Sequence, residues 1–322
     1  MDKTALLRRL RLPVVASPMF IASGIDLVVA QCKAGIVGSF PALNARPADQ
    51  LDRWIGRIEE ALAQHDSEHP QAPAAPHAVN LILHKTNDRL ESDLATCVRR
   101  KVPIVITSVG NPAAVVDAVH GYGGLVFHDV IHQRHARKAA QAGVDGLILV
   151  CAGAGGHAGR LSPFALVGEV RDWFQGLILL GGAITTGDHV LAAQALGADL
   201  AYMGTRFLAT PEAQVQAAYK EAVLAASAEG IVYSDLFSGV HANYLRSSIA
   251  AAGYDPDKLP AKGEHAENFG SESMATSKVW RDIWSAGQGV GRIREVLPAA
   301  DVVTELRRDY ASARQRLAPG HS

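Results

Sequence analysis

Residues Ala154-Gly155-Gly156-His157-Ala158-Gly159 set one imidazole among small residues, directly after the apolar segment Gly146-Leu147-Ile148-Leu149-Val150. Glycine has no Cβ and tolerates positive φ, so such a turn makes room for something flat or charged to come close to the backbone. His157 is the side chain in this turn that can move a proton near neutral pH. Its chemistry would be proton abstraction or the holding of an anion. Two other turns have the make-up of phosphate cradles, Gly181-Gly182-Ala183-Ile184-Thr185 and Gly204-Thr205-Arg206. Both follow an apolar run and open a helix, where backbone N–H groups favour a phosphate dianion. Thr205 adds a hydroxyl donor.

Further polar residues close other apolar runs: Asn80, then Thr107 with Ser108, then His128 with Asp129. Each is suited to hydrogen-bond a ring or a polyol, and each is equally suited to cap the next helix. Pro18 shapes a turn in which the backbone of Met19 would meet a flat ring. His241 and Tyr244 are candidates for substrate contact, with interface or core roles as the alternative. His132 and His135 read as a solvated helix face. Metal-ligand spacings of the H-E-x-x-H or C-x-x-C type and the G-x-S-x-G nucleophile elbow are missing from the sequence.

The elements that must position these residues alternate between short apolar runs and helical patterns. The runs are Val14–Ala16, Ile36–Gly38, Ala78–Leu81, Ile104–Thr107, Leu125–His128, Gly146–Val150, Leu177–Leu180 and Leu200–Met203. Helix-like segments lie between them, at Leu51–Ala63, Arg89–Arg100, Pro112–His120, His132–Ala142 and Asp188–Leu196. Several runs are apolar without alternation, as expected of strands covered on both faces. Eight such units predict an α/β fold, a (β/α)8 TIM barrel. The rival doubly wound sheet needs G-x-G-x-x-G in its first turn, which here reads Ala16-Ser17-Pro18-Met19-Phe20. Barrel sites lie on loops at the C-terminal strand ends, with phosphate commonly after strands seven and eight. The two glycine turns fall in those places, and His157 falls after strand six.

After Phe207 the pattern predicts a helix over Glu212–Ala228, then a mixed stretch Ile231–Ser277. The expected organisation is a barrel of residues 1–225 and 278–322, with a smaller, mostly helical cap of residues 226–277 over its mouth. A polar helix from Ala300 to Arg316 ends the chain, and His65–His77 reads as an exposed loop.

Composition bounds the function. The chain has 322 residues, 48% hydrophobic and 20% charged, with a net charge of −1. That balance offers no electrostatic footprint for nucleic acid or an anionic membrane. No run reaches the roughly 18 apolar residues of a membrane span, and the N-terminus has no secretory h-region. Cys32, Cys97 and Cys151 are odd in number and widely spaced. They suit a reduced, cytoplasmic setting better than a disulfide framework.

Together the motifs resemble the FMN-dependent nitronate monooxygenase family, formerly called 2-nitropropane dioxygenases. The resemblance rests on Val14–Met19, Val79-Asn80-Leu81, Ala154–Gly159, Gly181–Ile184, Ala195–Asp199, Met203–Leu208 and Trp284-Ser285-Ala286-Gly287-Gln288. It implies a barrel that binds FMN, with His157 as the catalytic residue. Gly181, Gly182, Gly204 and Thr205 would hold the phosphate, with Ala183 a further cofactor-binding candidate. Ala16, Pro18, Met19, Asn80, Ser108, Ala154, Gly155 and Gly156 would surround the rest of the cofactor, and Gln288 would reach it from the late segment.

The implied reaction is oxidation of a nitronate or nitroalkane by O2 to a carbonyl compound and nitrite. Sister branches imply an NAD(P)H:quinone reductase or an enoyl-thioester reductase, and a non-catalytic FMN-binding protein is a third reading. The oligomeric state is left open, a homodimer included. One departure stands out: family members often carry Lys or Gln after strand five, where this chain has Asp129.

Overall fold

The computed structural model describes residues 1–260 and 282–318. Its strands are β1 (Val14–Ala16), β2 (Gly38–Pro41), β3 (His77–Ile82), β4 (Ile104–Ser108), β5 (Leu125–Val130), β6 (Gly146–Val150), β7 (Gly156–His157), β8 (Leu177–Gly181), β9 (Leu200–Met203), β10 (Ile231–Ser234) and β11 (Ala242–Leu245). Eight of them form one sheet in the order β1-β9-β8-β6-β5-β4-β3-β2, with every pairing parallel. A parallel bridge between Val15 and Val37 joins the two ends and closes the barrel. The expected eight runs are these eight strands. The second differs in register, since Ile36-Val37 leads into β2 and Val37 makes the closing bridge.

The run of apolar residues through each strand has a direct reason. Alternate side chains point to opposite faces, and both faces are covered. Val15, Ile106, Phe127, Ile148 and Leu179 fill the barrel interior with Leu6. Val14, Val105, Val126, Leu147, Leu149 and Ile178 pack outward under the helices. Each such Leu or Phe contributes roughly 1.5–3 kcal/mol of transfer free energy. Leu6 comes from the helix Lys3–Arg9, whose N-cap Asp2 accepts from Ala5 N–H at 2.7 Å. The opposite, C-terminal end of the barrel is left for the site.

Three expectations need correction. The predicted helix over Glu212–Ala228 shrinks to Ala217–Ala225. Its first residues are drawn into tertiary contacts instead: Gln214 N–H donates to Ala22 O at 2.9 Å, and the Glu212 carboxylate accepts from Ala299 N–H at 3.0 Å. The stretch His65–His77 is not a uniformly exposed loop. The helix Gln50–Glu68 takes in its start, Ala74 and Ala75 are buried, and His77 opens β3. The described part of the cap, up to residue 260, contains the strands β10 and β11 and the six-residue helix Arg246–Ala251. A strand pair carries this part of the cap as much as helix does. The rest of the segment assigned to the cap, residues 261–277, lies outside the described residues.

Strand β11 pairs antiparallel with β10 on one side and with β7 on the other. The three-stranded sheet therefore unites the cap segment with the turn that carries His157. A two-residue strand has no periodicity of its own, so this sheet is a product of tertiary pairing.

Candidate active site

The C-terminal ends of the barrel strands open into a cavity of about 1210 Å3. Ligand pockets typically hold about 300–1,000 Å3, so there is room for a large ligand and a small one together. Pro18, Met19, Asn80, Ser108, Ala154, Gly155, Gly156, His157, Gly181, Gly182, Ala183, Gly204 and Thr205 all line it. These are thirteen of the candidate residues, brought from separate turns and strand ends to one space.

His157 sits on β7 and is held from the cap. Its backbone faces Ala242 in the β7–β11 register, and its Nε2 lies 3.0 Å from Ser238 Oγ. Burial pushes the imidazole pKa down to about 4, so the ring is neutral at physiological pH. A neutral ring accepts a proton; a cation prepared to hold an anion is disfavoured here.

Asn80, Ser108 and Asp129 form a chain across the ends of β3, β4 and β5. Asn80 Nδ2 donates to Ser108 Oγ at 2.8 Å, and Ser108 Oγ donates to Asp129 Oδ2 at 2.6 Å. None of them caps a helix, since the following caps are Arg89, Pro112 and His132. Asp129 Oδ1 is enclosed with no hydrogen-bond partner. Burial therefore raises the Asp129 pKa to about 6, and the Ser108 hydrogen bond offsets part of the rise. Behind Asp129, Thr107 Oγ1 lies 2.8 Å from His128 Nδ1, and burial, reinforced by His135, lowers the His128 pKa to about 4.

The glycine turns serve the chain as well as any ligand. A Cβ on Gly155 would stand 2.8 Å from Gly287 N and 3.0 Å from Thr205 Oγ1. That glycine admits the late segment, so its role is wider than making room for a ligand. Gly287 N–H donates to Thr205 Oγ1 at 2.8 Å, and Gln288 N–H donates to Gly153 O at 2.9 Å. In the turn after β8, Gly182 and Ala183 have φ of +151° and +54°, which curls the backbone round the cavity. Met19 has its backbone committed already: its N–H donates to Ser23 Oγ, and its carbonyl accepts from Asn44 Nδ2, both at 3.0 Å.

Four candidates do not reach the cavity. Ala16 is buried within β1, and its carbonyl accepts from Ser39 Oγ at 2.5 Å. Gln288 is absent from the lining although its neighbours Gly287 and Gly289 belong to it. Tyr244 is fully buried and donates from its hydroxyl to Ser238 Oγ at 3.1 Å. His241 stacks on Tyr233 and lies 2.9 Å from Arg160 Nη2. Neither of the last two is among the residues that line the cavity; their contacts here are with Ser238, Tyr233 and Arg160. Arg206 likewise turns outward, to Glu305 at 3.7 Å.

Sequence reading missed Tyr202, Tyr219 and Trp284 as lining residues. Tyr219 and Trp284 stack at 5.1 Å, and Ser285 N–H donates to the Tyr219 hydroxyl at 3.1 Å. The two rings lie far apart in the chain, so no local pattern joins them. Tyr202 offered a signal, a polar-tipped aromatic within an otherwise apolar strand.

With the site assembled, its relatives can be compared. A profile of the family described as nitronate monooxygenase matches residues 3–309. A nitronate monooxygenase of Paraburkholderia phytofirmans is 29% identical, over 95% of this chain and 94% of its own length. A carboxyl-CoA dehydrogenase of Mycobacterium tuberculosis is 25% identical, over 84% of this chain and 73% of its own. Among solved structures, FabK from Thermotoga maritima superposes with a TM-score of 0.77 at 25% identity, over 98% of each chain. A nitroalkane oxidase from Streptomyces ansochromogenes gives 0.80 at 23% identity, over 98% of this chain and 100% of that one. The latter shows a shared fold. The match along nearly the whole length, on a closed barrel with this cavity, makes the chain a member of the nitronate monooxygenase family of flavin-dependent oxidoreductases.

Proposed function

We propose that the protein binds FMN in the barrel cavity and oxidises alkyl nitronates, propionate 3-nitronate among them, with O2 to a carbonyl compound and nitrite. The observation that carries this reading is a neutral, enclosed His157 lining the same cavity as the glycine turns after β8 and β9.

The residues present fit FMN. Gly181, Gly182, Gly204 and Thr205 would hold the phosphate with backbone N–H groups and a hydroxyl. Thr205 Oγ1 accepts from Gly287 N–H, which leaves its own proton to donate. Asn80, Ser108 and Asp129 would meet the polar edge of the ring or the ribityl chain, and Pro18 and Met19 its flat face. When bound, FMN supplies the electron transfer between nitronate and oxygen.

The chain's own residues do the rest. With a neutral nitroalkane, His157 takes the α-proton and leaves the anion in an enclosed site, where it is not reprotonated by bulk water. With a preformed nitronate, that step is absent, and the imidazole donates a hydrogen bond to the nitro oxygens. The three buried, unpaired cysteines suit a reducing compartment, the cytoplasm. Among the described residues no helix is long and apolar enough to cross a membrane.

The test compares wild type with His157→Asn, both fully loaded with FMN. The expected result is a fall of about 100-fold or more in turnover of neutral nitroalkane. Equal turnover by the two proteins would refute the role of His157.

A further inference from the structure

The carboxyl group near the end of β5 shares its cavity with any cofactor held there. Asp129 lines that space, yet its Oδ1 is enclosed and has no hydrogen-bond partner. Its Oδ2 receives one hydrogen bond, from Ser108 Oγ at 2.6 Å. A carboxylate so poorly compensated is relieved by taking a proton. The other titratable groups around the cavity bring it little positive charge. His128 and His157 have pKa values near 4 and His135 is lowered too, all chiefly by burial. Burial also keeps the phenols of Tyr202 and Tyr219 neutral. Lys138, the one lysine or arginine among the described lining residues, is exposed.

The hydrogen bonds at Ser108 have a definite sense. Asn80 Nδ2 faces Ile106 O at 3.3 Å and Ser108 Oγ at 2.8 Å. A carbonyl oxygen only accepts, so this end of the amide is the NH2 group, and it donates to Ser108. An ionised Asp129 also only accepts, so Ser108 directs its proton there. A neutral Asp129 reverses that bond. Oδ2 is the oxygen that already faces a partner, so the proton settles on Oδ2 and is donated to Ser108 Oγ. Both lone pairs of the serine are then taken, by Asn80 and Asp129. Its own proton is released toward the cavity, which Ser108 also lines.

We propose that Asp129 takes up a proton when electrons arrive on the bound cofactor, and that Ser108 then turns its hydroxyl proton from Asp129 toward the cavity. This rests on the reading that FMN occupies the cavity. Negative charge added to an enclosed site is screened far less than in water, so it disfavours a second anion beside it. One solvent proton joins Asp129 Oδ2 and one O–H bond forms; Ser108 keeps its proton and changes acceptor. The electrons come from the nitronate in turnover, and from dithionite in the test.

The experiment uses FMN-loaded wild type and Asp129→Asn, reduced without oxygen by dithionite between about pH 5 and about pH 8.5, a range spanning the ordinary carboxyl and histidine values. The midpoint potential and the infrared difference spectrum are recorded. The two potentials should agree at the acid end. Above about pH 6 the variant should become easier to reduce, by about tenfold in the reduction equilibrium per pH unit. Near neutral pH, reduction should bring up a carboxylic-acid C=O band in wild type that the variant lacks. Ser108→Ala removes the hydrogen bond that lowers the Asp129 pKa. Measured with and without Asp129→Asn, it should move the onset of the difference to higher pH; an unmoved onset would remove Ser108 from the proposal. A potential difference independent of pH would overturn the proposal. If Asp129→Asn does not fold, the wild-type spectrum decides, and no gain of the acid band on reduction overturns it. A protein that takes up no FMN refutes the cofactor reading and the proposal with it, whereas full loading without the coupling refutes the proposal alone. Coupling in a protein that leaves nitronates unoxidised upholds the proposal and refutes the nitronate reading.

Discussion

The close approach of the late segment to Gly155 leaves no room for a Cβ. In Gly155→Ala the new Cβ would stand 2.8 Å from Gly287 N, 3.0 Å from Thr205 Oγ1 and 3.1 Å from Ala286 C. The first and last of these are backbone atoms and cannot rotate away. The loop carrying residues 286–288 must move, which strains the bonds Gly287 N–H to Thr205 and Gln288 N–H to Gly153. Overpacking of this kind costs about 1–3 kcal/mol, and a weakened hydrogen bond about 0.5–1.5 kcal/mol. The expected loss is roughly 2–4 kcal/mol, or a Tm lower by roughly 4–8 °C at about 2 °C per kcal/mol. FMN affinity should fall by about tenfold, because Thr205 is displaced with the loop.

Gly168 is the matched control. It is an exposed position inside the helix Pro163–Arg171, and a Cβ there meets nothing within 4 Å. Gly168→Ala should stabilise by about 0.5–1 kcal/mol through helix propensity and a less flexible unfolded chain, with FMN affinity unchanged. Thermal unfolding and fluorescence titration with FMN measure both quantities. If Gly155→Ala matches wild type in Tm and affinity, the argument that this glycine admits the late segment is refuted.

Acid should destabilise the fold. Burial holds the pKa values of His77, His128 and His157 near 4, below the unfolded value of about 6.5. Between these limits the unfolded chain binds more protons, so stability falls as pH falls, by about 1.4 kcal/mol per pH unit for each histidine. Asp129 acts in the opposite sense between about 4 and 6, so the share of these four groups in the slope is that of roughly two protons. Urea unfolding from about pH 6.5 to about pH 4.5 measures it; a flat profile would be contrary, and His77→Leu should remove one proton's share. Asp129→Asn should raise stability at about pH 8, where the enclosed carboxylate is ionised in both states, and the gain should vanish by about pH 4. A gain independent of pH would contradict the assignment of the raised pKa to Asp129.

The barrel was legible because burial on both faces leaves its mark on every strand, as in Gly146–Val150 and Leu177–Gly181. The turns after β8 and β9 were legible because a closed barrel puts strand ends in one ring, so position alone predicts convergence. What escaped depended on contacts distant in sequence. Helix propensity in Glu212–Gln216 yields to Ala22 and Ala299, partners far away in the chain. The pairing of Gly156-His157 with Ala242-Asn243 joins distant parts of the chain and needs no periodic signal on the short strand. Tyr244 reads from its place in the cap as a candidate for substrate contact or for the core, and it is buried with its hydroxyl donating to Ser238. The departure at Asp129 was visible from sequence. Its consequence, an enclosed carboxyl oxygen with no partner, was not.

The central claim, a nitronate-oxidising site built around His157, is tested most directly by watching the bound cofactor. FMN-loaded protein is mixed without oxygen, in separate runs, with propionate 3-nitronate, NADH and NADPH, and the visible absorbance is followed; air is then admitted, and oxygen uptake and nitrite are measured. The account predicts bleaching by the nitronate, followed in air by oxygen consumption and nitrite release. An unchanged spectrum with the nitronate, together with anaerobic bleaching by NADH or NADPH, would contradict it and make the protein an NAD(P)H-dependent reductase.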